Sequence, residues 1–163
     1  MAAIAYVFPG QGSQVVGMGR DLAAAQPVAA AVFATADEAL GEPISRLAWE
    51  GPAEDLNRTE NAQPALVAAS IAYFDALDAQ LTPAGVIETI PKPRFIAGHS
   101  MGQYSAAVAA GAIRDADAIR LVRERGRLMQ SSGSGRDGAM AAVLGLDDAA
   151  IPELTRRASA HGV

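Results

Sequence analysis

Short unbroken apolar runs alternate along this chain with longer stretches in which apolar residues return every three or four positions. That alternation predicts strands feeding helices. Residues 3–8 (Ala-Ile-Ala-Tyr-Val-Phe) form the first run. Continuous apolarity, rather than alternation, is the pattern of a strand buried on both faces, as in a parallel sheet. The run ends in a glycine-rich stretch, Pro9-Gly10-Gln11-Gly12-Ser13-Gln14. Residues 21–40 read as helical with a break near Pro27, and Gly41-Glu42-Pro43 stops them. Residues 44–50 predict a short helix, and Pro52 opens another from a favourable first-turn position. Residues 59–63 are polar and read as a loop. Pro64 then opens a helix over 65–81, whose Leu66, Ala69, Ser70, Tyr73, Leu77 and Leu81 recur at helical spacing and predict the face turned to the core.

Residues 82–94 contain three prolines and predict a surface loop. The next run, Phe95-Ile96-Ala97, enters Gly98-His99-Ser100-Met101-Gly102, and an alanine-rich helix over 105–112 leaves it, ending near Gly111. Asp115 is placed to cap a helix running from 116 to about 130. Ser/Gly-rich residues 131–137 form the best domain boundary in the chain. A strand over 139–144 and a helix over 149–160, capped at Asp147-Asp148, follow; one strand and one helix cannot bury both faces of a sheet by themselves. The fold class expected is α/β.

Composition narrows the chemistry. The 163 residues are half hydrophobic, enough for one domain with a core. The net charge of −5, with no long run of lysine or arginine, argues against a nucleic-acid partner. The absence of cysteine excludes disulfides, thiolate metal sites and a cysteine nucleophile. His99 and His161 are too few and too badly spaced for a metal site, so no metal is expected. The N-terminus lacks the basic and apolar regions of a signal peptide, and no apolar run approaches the ~20 residues of a membrane span. A cytoplasmic protein without a membrane partner is the expectation.

Strand, Gly-x-Ser-x-Gly and helix together are the context of a nucleophile elbow, in which a tight turn sets the serine clear of the sheet at a helix N-terminus. Ser100 is therefore either a nucleophile or the N-cap of the following helix. The loop 9–14 lacks the Gly-Lys-Ser/Thr ending of a phosphate loop and the Gly-x-Gly-x-x-Gly of a dinucleotide site. Taken alone it is a plain strand-to-helix connection. Arg125 shares a face with Leu121, Val122, Leu128 and Met129 at helical spacing, whereas Arg120, Arg123, Glu124 and Arg127 fall on the opposite, solvated face. A guanidinium within an apolar stripe needs an anionic partner, because burying it unpaired costs several kcal/mol. That partner is either a carboxylate elsewhere in the chain or a ligand carboxylate.

Five stretches in order carry a resemblance: residues 8–14 (Phe-Pro-Gly-Gln-Gly-Ser-Gln), 63–66 (Gln-Pro-Ala-Leu), 98–102 (Gly-His-Ser-Met-Gly), 125–130 (Arg-Gly-Arg-Leu-Met-Gln) and 138–143 (Gly-Ala-Met-Ala-Ala-Val). The chain resembles the malonyl-CoA:acyl carrier protein transacylase family, whose relatives include the acyltransferase domains of polyketide synthases. The resemblance implies that residues 1–130 are the N-terminal part of an α/β-hydrolase-like subdomain, a parallel sheet with flanking helices. Residues 131–137 would be a linker. Residues 138–163 would be the first strand and helix of a ferredoxin-like small subdomain. It implies ping-pong transfer of a malonyl group from malonyl-CoA to the phosphopantetheine thiol of acyl carrier protein, with no cofactor. Ser100 would carry the acyl group and Arg125 would bind the malonyl carboxylate. Gln11 and Met101 would supply the backbone N–H groups of the oxyanion hole, with Gln11 also among the substrate contacts. His99 would shape the site without acting as the base.

Two departures accompany the resemblance. Gln103 stands where the family commonly has glutamate, and the family's catalytic histidine lies downstream of the segment matched here. His161 matches no family motif. The chain is therefore expected to be the N-terminal part of a transacylase, truncated before its histidine, weak or inactive alone and poorly soluble where apolar surface is left uncovered. Two alternatives stand beside it. A serine esterase or thioesterase with the same elbow would have no use for the carboxylate receptor Arg125. A non-catalytic homologue that docks acyl carrier protein would bind it with Ser100 replaced by alanine. Fatty acid versus polyketide context, and malonyl versus methylmalonyl preference, stay open.

Overall fold

The computed structural model describes residues 4–81, 93–132 and 144–160. In chain order its elements are β1 (Ala5–Phe8), α1 (Arg20–Ala25), α2 (Pro27–Leu40), α3 (Ile44–Glu50), α4 (Ala53–Asn57), α5 (Thr59–Leu81), β2 (Phe95–Gly98), α6 (Gly102–Ala109), α7 (Asp115–Ser132), a 3-10 turn (Asp148–Ala150) and α8 (Ile151–Ala160). β1 and β2 pair in parallel, in a register from Ala5 opposite Phe95 to Phe8 opposite Gly98. The fold is α/β, a small parallel sheet with many helices. The two apolar runs thus lie side by side although residues 9–94 separate them in the chain, as parallel pairing requires a long crossover.

The core is built on α5. Ala62, Ala65, Val67, Ala68 and Ala72 are fully buried in it. Small side chains let α2 and α7 approach it closely. From α2 come Ala29, Val32, Phe33 and Ala36, at one-face spacing. From α7 come Ala118, Ile119 and Val122. Phe33 is 1% exposed and meets Trp49 of α3 edge-on, with ring centroids 5.1 Å apart. Burying such a side chain contributes about 1.5–3 kcal/mol.

Several expectations are corrected. Residues 59–63 are helical, not a loop, and Pro64 lies inside α5 rather than opening it. The face predicted for the core of that helix is buried at Leu66 and Ala69, but further along it lines an apolar cleft with Tyr6 and Phe8 of β1. Tyr73 is 55% and Leu77 46% exposed. An alanine-rich helix that is apolar nearly all round does not single out one face by its spacing. In α7 the buried side holds Ala118, Ile119, Val122, Arg123 and Gly126, whereas Leu121 and Leu128 are exposed. Arg123, expected in solvent, is therefore the inward arginine.

α7 also runs through Ser131 and Ser132, whose hydroxyls donate to the carbonyls of Leu128 and Met129, so the expected linker does not begin at residue 131. Residues 133–137 of that linker, residues 139–143 of the expected strand, most of the loop 82–94, and His161 lie outside the described residues. Leu144 is described and belongs to no strand. The helix expected over 149–160 is present as the 3-10 turn and α8, with an Asp147 carboxylate oxygen accepting from the Ala149 N–H at 2.9 Å.

Candidate active site

The elbow is a strained turn held between two backbones. Ser100 has φ 51°, the only positive value among the described non-glycine residues, a conformation that costs of order 1–3 kcal/mol. A Cβ on Gly98 would lie 2.1 Å from the carbonyl of Gly102, and one on Gly102 would lie 2.5 Å from the Pro9 carbonyl oxygen. Only glycine fits at either place. The His99 N–H donates to the Phe8 carbonyl at 3.0 Å, extending the β1–β2 ladder into the turn. Ser100 does not cap α6: the N-cap is Met101, and no side chain bonds the freed N–H groups there. Instead the Ser100 hydroxyl oxygen accepts from Nη2 of Arg125 at 3.1 Å. The capping alternative for Ser100 is thereby removed.

Arg125 reaches Ser100 from the flank of α7, half-buried, rather than from the middle of an apolar stripe. Its Nη1 donates to the Gln63 side-chain oxygen at 2.8 Å. No carboxylate among the described residues pairs with it, so the internal salt bridge weighed from the sequence is not made there. Gln63 is completely buried and uses its amide nitrogen on the Gln11 side-chain oxygen (3.4 Å) and on Sδ of Met129 (3.3 Å). The Gln11 amide in turn donates to the Thr59 hydroxyl at 3.3 Å. One network therefore joins the loop after β1, α5, the elbow and α7.

Gln63 belongs to this network, and no role is assigned to it from the sequence. Its signal was present: a glutamine in one of the five matching stretches, directly before a proline and an apolar run. Arg123 was also missed. It is 5% exposed and bonds the Glu60 carbonyl (2.9 Å), the Asn61 side-chain oxygen (2.7 Å) and the Glu42 carboxylate. Burial pushes its guanidinium below the ordinary arginine value, and Glu42 acts against that shift.

The two expected backbone donors occupy different settings. The Met101 side chain is fully buried, which anchors its N–H at the start of α6. Gln11 is exposed on the loop after β1. Neither N–H is taken up by a carbonyl among the described residues. Loop and elbow are in contact, since a Cβ on Gly10 would meet Nδ1 of His99 at 2.4 Å. His99 and Gln103 are exposed. Among the described residues no cluster of His, Asp and Glu is placed to hold a metal ion, and no helix is long and apolar enough to cross a membrane.

Comparison with known proteins places these features in a family. Residues 5–158 match the model of the acyl transferase domain. The chain is 47% identical over 159 residues to the malonyl CoA-acyl carrier protein transacylase of Escherichia coli (strain K12), covering 98% of this chain and 49% of that protein. The solved transacylase of the same name from Coxiella burnetii superposes with a TM-score of 0.86 at 40% identity, over 96% of this chain and 47% of that one. A malonyl-transacylase solved in complex with a type II polyketide synthase acyl-carrier protein gives 0.84 at 44% identity, over 96% of this chain and 48% of that one. The chain spans about half the length of the curated relatives it matches.

Proposed function

The chain belongs to the acyl transferase domain family, and from that premise we propose that it carries the acyl-binding half of a malonyl-CoA:acyl carrier protein transacylase. The observation that carries this reading is the Ser100–Arg125 hydrogen bond. An acyl ester on the Ser100 oxygen whose carboxylate stands one methylene away would bring that carboxylate back over the guanidinium. Nη1 and Nη2 each keep a further N–H for it, the geometry that favours bidentate carboxylate binding. Gln63 is neutral, so it orients the guanidinium without cancelling its charge.

In the proposed reaction the Ser100 oxygen attacks the thioester carbonyl of malonyl-CoA, the carbon–sulfur bond breaks, and CoA leaves as the thiol with the serine proton. The phosphopantetheine thiol of acyl carrier protein then attacks the malonyl-serine ester and regenerates Ser100. The backbone N–H groups of Gln11 and Met101 are free to stabilise the oxyanion at each step. His99 borders the site through its contact with Gly10. The general base, which the family resemblance places downstream of this segment, is the one role that no described residue fills. Arg125 confers selectivity, because an acyl group without a carboxylate leaves the receptor unpaired. The reaction draws on no cofactor, and its setting is the cytoplasm.

The finer architecture belongs to the same reading. An α/β-hydrolase-like subdomain would extend to the end of α7 at Ser132, and α8 would open a ferredoxin-like one. The test is intact-mass spectrometry of the protein, expressed from its complete reading frame, after incubation with malonyl-CoA. A malonyl adduct that maps to Ser100 and is missing from Ser100→Ala supports the reading; an adduct that persists in that variant refutes it.

A further inference from the structure

Pro64 sits in the sixth position of α5 and has no N–H, so the carbonyl of Glu60, four residues earlier, loses its helical donor. Arg123 fills that place: its Nη1 donates to the Glu60 carbonyl at 2.9 Å and to the Asn61 side-chain oxygen at 2.7 Å. Asn61 passes the tie on, donating to the Asp55 carbonyl of α4 at 2.8 Å. Nη2 of Arg123 is paired with Glu42, in the turn between α2 and α3. One buried guanidinium thus holds three segments around the first turn of α5.

Two residues further along α7, Arg125 reaches α5 at Gln63. The two arginines therefore contact α5 at two points, Glu60/Asn61 and Gln63. Gly126 beside them brings the helix backbones into contact. This clamp fixes the register of α7 on α5, and with it the distance between the Gln63 oxygen and Arg125. Glu42 supplies the anionic partner that a buried guanidinium needs, so the clamp is held by a charged pair.

We propose that Arg123 is a positioning residue for the carboxylate receptor: it does not touch the acyl group, but sets the α5 turn whose Gln63 orients Arg125. The inference rests on the reading of Arg125 as that receptor. The protein from its complete reading frame, Arg123→Lys, Arg123→Met and Glu42→Gln are compared for acylation by malonyl-CoA and by acetyl-CoA, with thermal melts alongside. Lysine keeps the charge but lacks the fork in which Nη1 serves Glu60 and Asn61 while Nη2 serves Glu42. In Arg123→Lys the malonyl-to-acetyl ratio of kcat/KM should fall about fivefold, as suits a residue acting through contacts. The loss should lie in KM for malonyl-CoA, with acetyl kinetics unchanged. Glu42→Gln, which removes the charged anchor of the Arg123 fork, should lower the same ratio. If Arg123→Lys and Arg123→Met slow both substrates equally, or melt lower with an unchanged ratio, Arg123 is only structural and the proposal is overturned. A parent protein with no malonyl preference overturns the receptor reading itself, and the inference with it.

Discussion

Gly126→Ala sets two opposing effects against each other, and the structure decides the sign. An alanine inside α7 should stabilise the helix by about 1 kcal/mol relative to glycine. The added Cβ, however, would lie 2.8 Å from Cα of Glu60 and 2.8 Å from the Thr59 carbonyl oxygen. Both are backbone atoms of the first turn of α5, so no side-chain rotation relieves the contact and the helices must part. Forcing an extra carbon into a packed interior costs about 1–3 kcal/mol, and contact with backbone places this case in the upper half of that range. The net expectation is a loss of about 1–2 kcal/mol. The assay is urea unfolding followed through Trp49, the single tryptophan, which packs on Phe33. At about 2 kcal/mol per molar urea, the middle of the usual range, the midpoint should fall by roughly 0.5–1 M. A midpoint that rises would show helix propensity winning, and would refute the close α5–α7 contact on which the Arg125 geometry depends.

Further predictions concern the site and its surroundings. Gln63→Glu places a carboxylate where the neutral oxygen now accepts from Arg125. The resulting internal ion pair should raise KM for malonyl-CoA about tenfold or more while sparing acetyl-CoA, the scale of a charged hydrogen bond; steady-state kinetics with both thioesters reads it. Gly98→Ala should abolish acylation by opening the elbow, since its Cβ meets the Gly102 carbonyl at 2.1 Å; intact-mass detection of the adduct checks this. Asp75 has its pKa raised by burial, with Asp115 and Asp78 adding repulsion. Raised in the folded state, it favours folding in its protonated form, and that contribution is lost as pH rises through the folded value. Asp75→Asn should therefore melt slightly higher than the parent at neutral pH, with the gap closing as pH falls towards 3.8.

The parts of this molecule that could be read from the sequence are those set by residue type at short range. The elbow is one: a strand, two glycines each two residues from a serine, and a helix define it, and the positive φ at Ser100 follows. The break at Pro27 and the helix over 44–50 are likewise local. What could not be read depends on which of several acceptable faces turns inward. α7 carries two apolar patterns, one through Ala118, Val122 and Gly126 and one through Leu121, Leu128 and Met129. The first is buried because its small residues fit against α5. Arg125 therefore reaches Ser100 for a reason other than the stripe argument that singled it out. Arg123 looked solvated because Glu42, Glu60 and Asn61 lie more than sixty positions away along the chain. Gln63 was hidden because a proline before an apolar run reads as a helix start, whereas α5 begins at Thr59 and its interrupted bonding is completed from α7.

The central claim is that Ser100 and Arg125 together form an acyl site that selects for a carboxylate. The most direct measurement is the rate of acyl-Ser100 formation from malonyl-CoA and from acetyl-CoA, in the protein from its complete reading frame and in Arg125→Ala. The account predicts that the parent prefers malonyl-CoA and that the variant loses this preference while still forming the acetyl ester. A variant that keeps the preference would contradict it, because the carboxylate would then be recognised elsewhere.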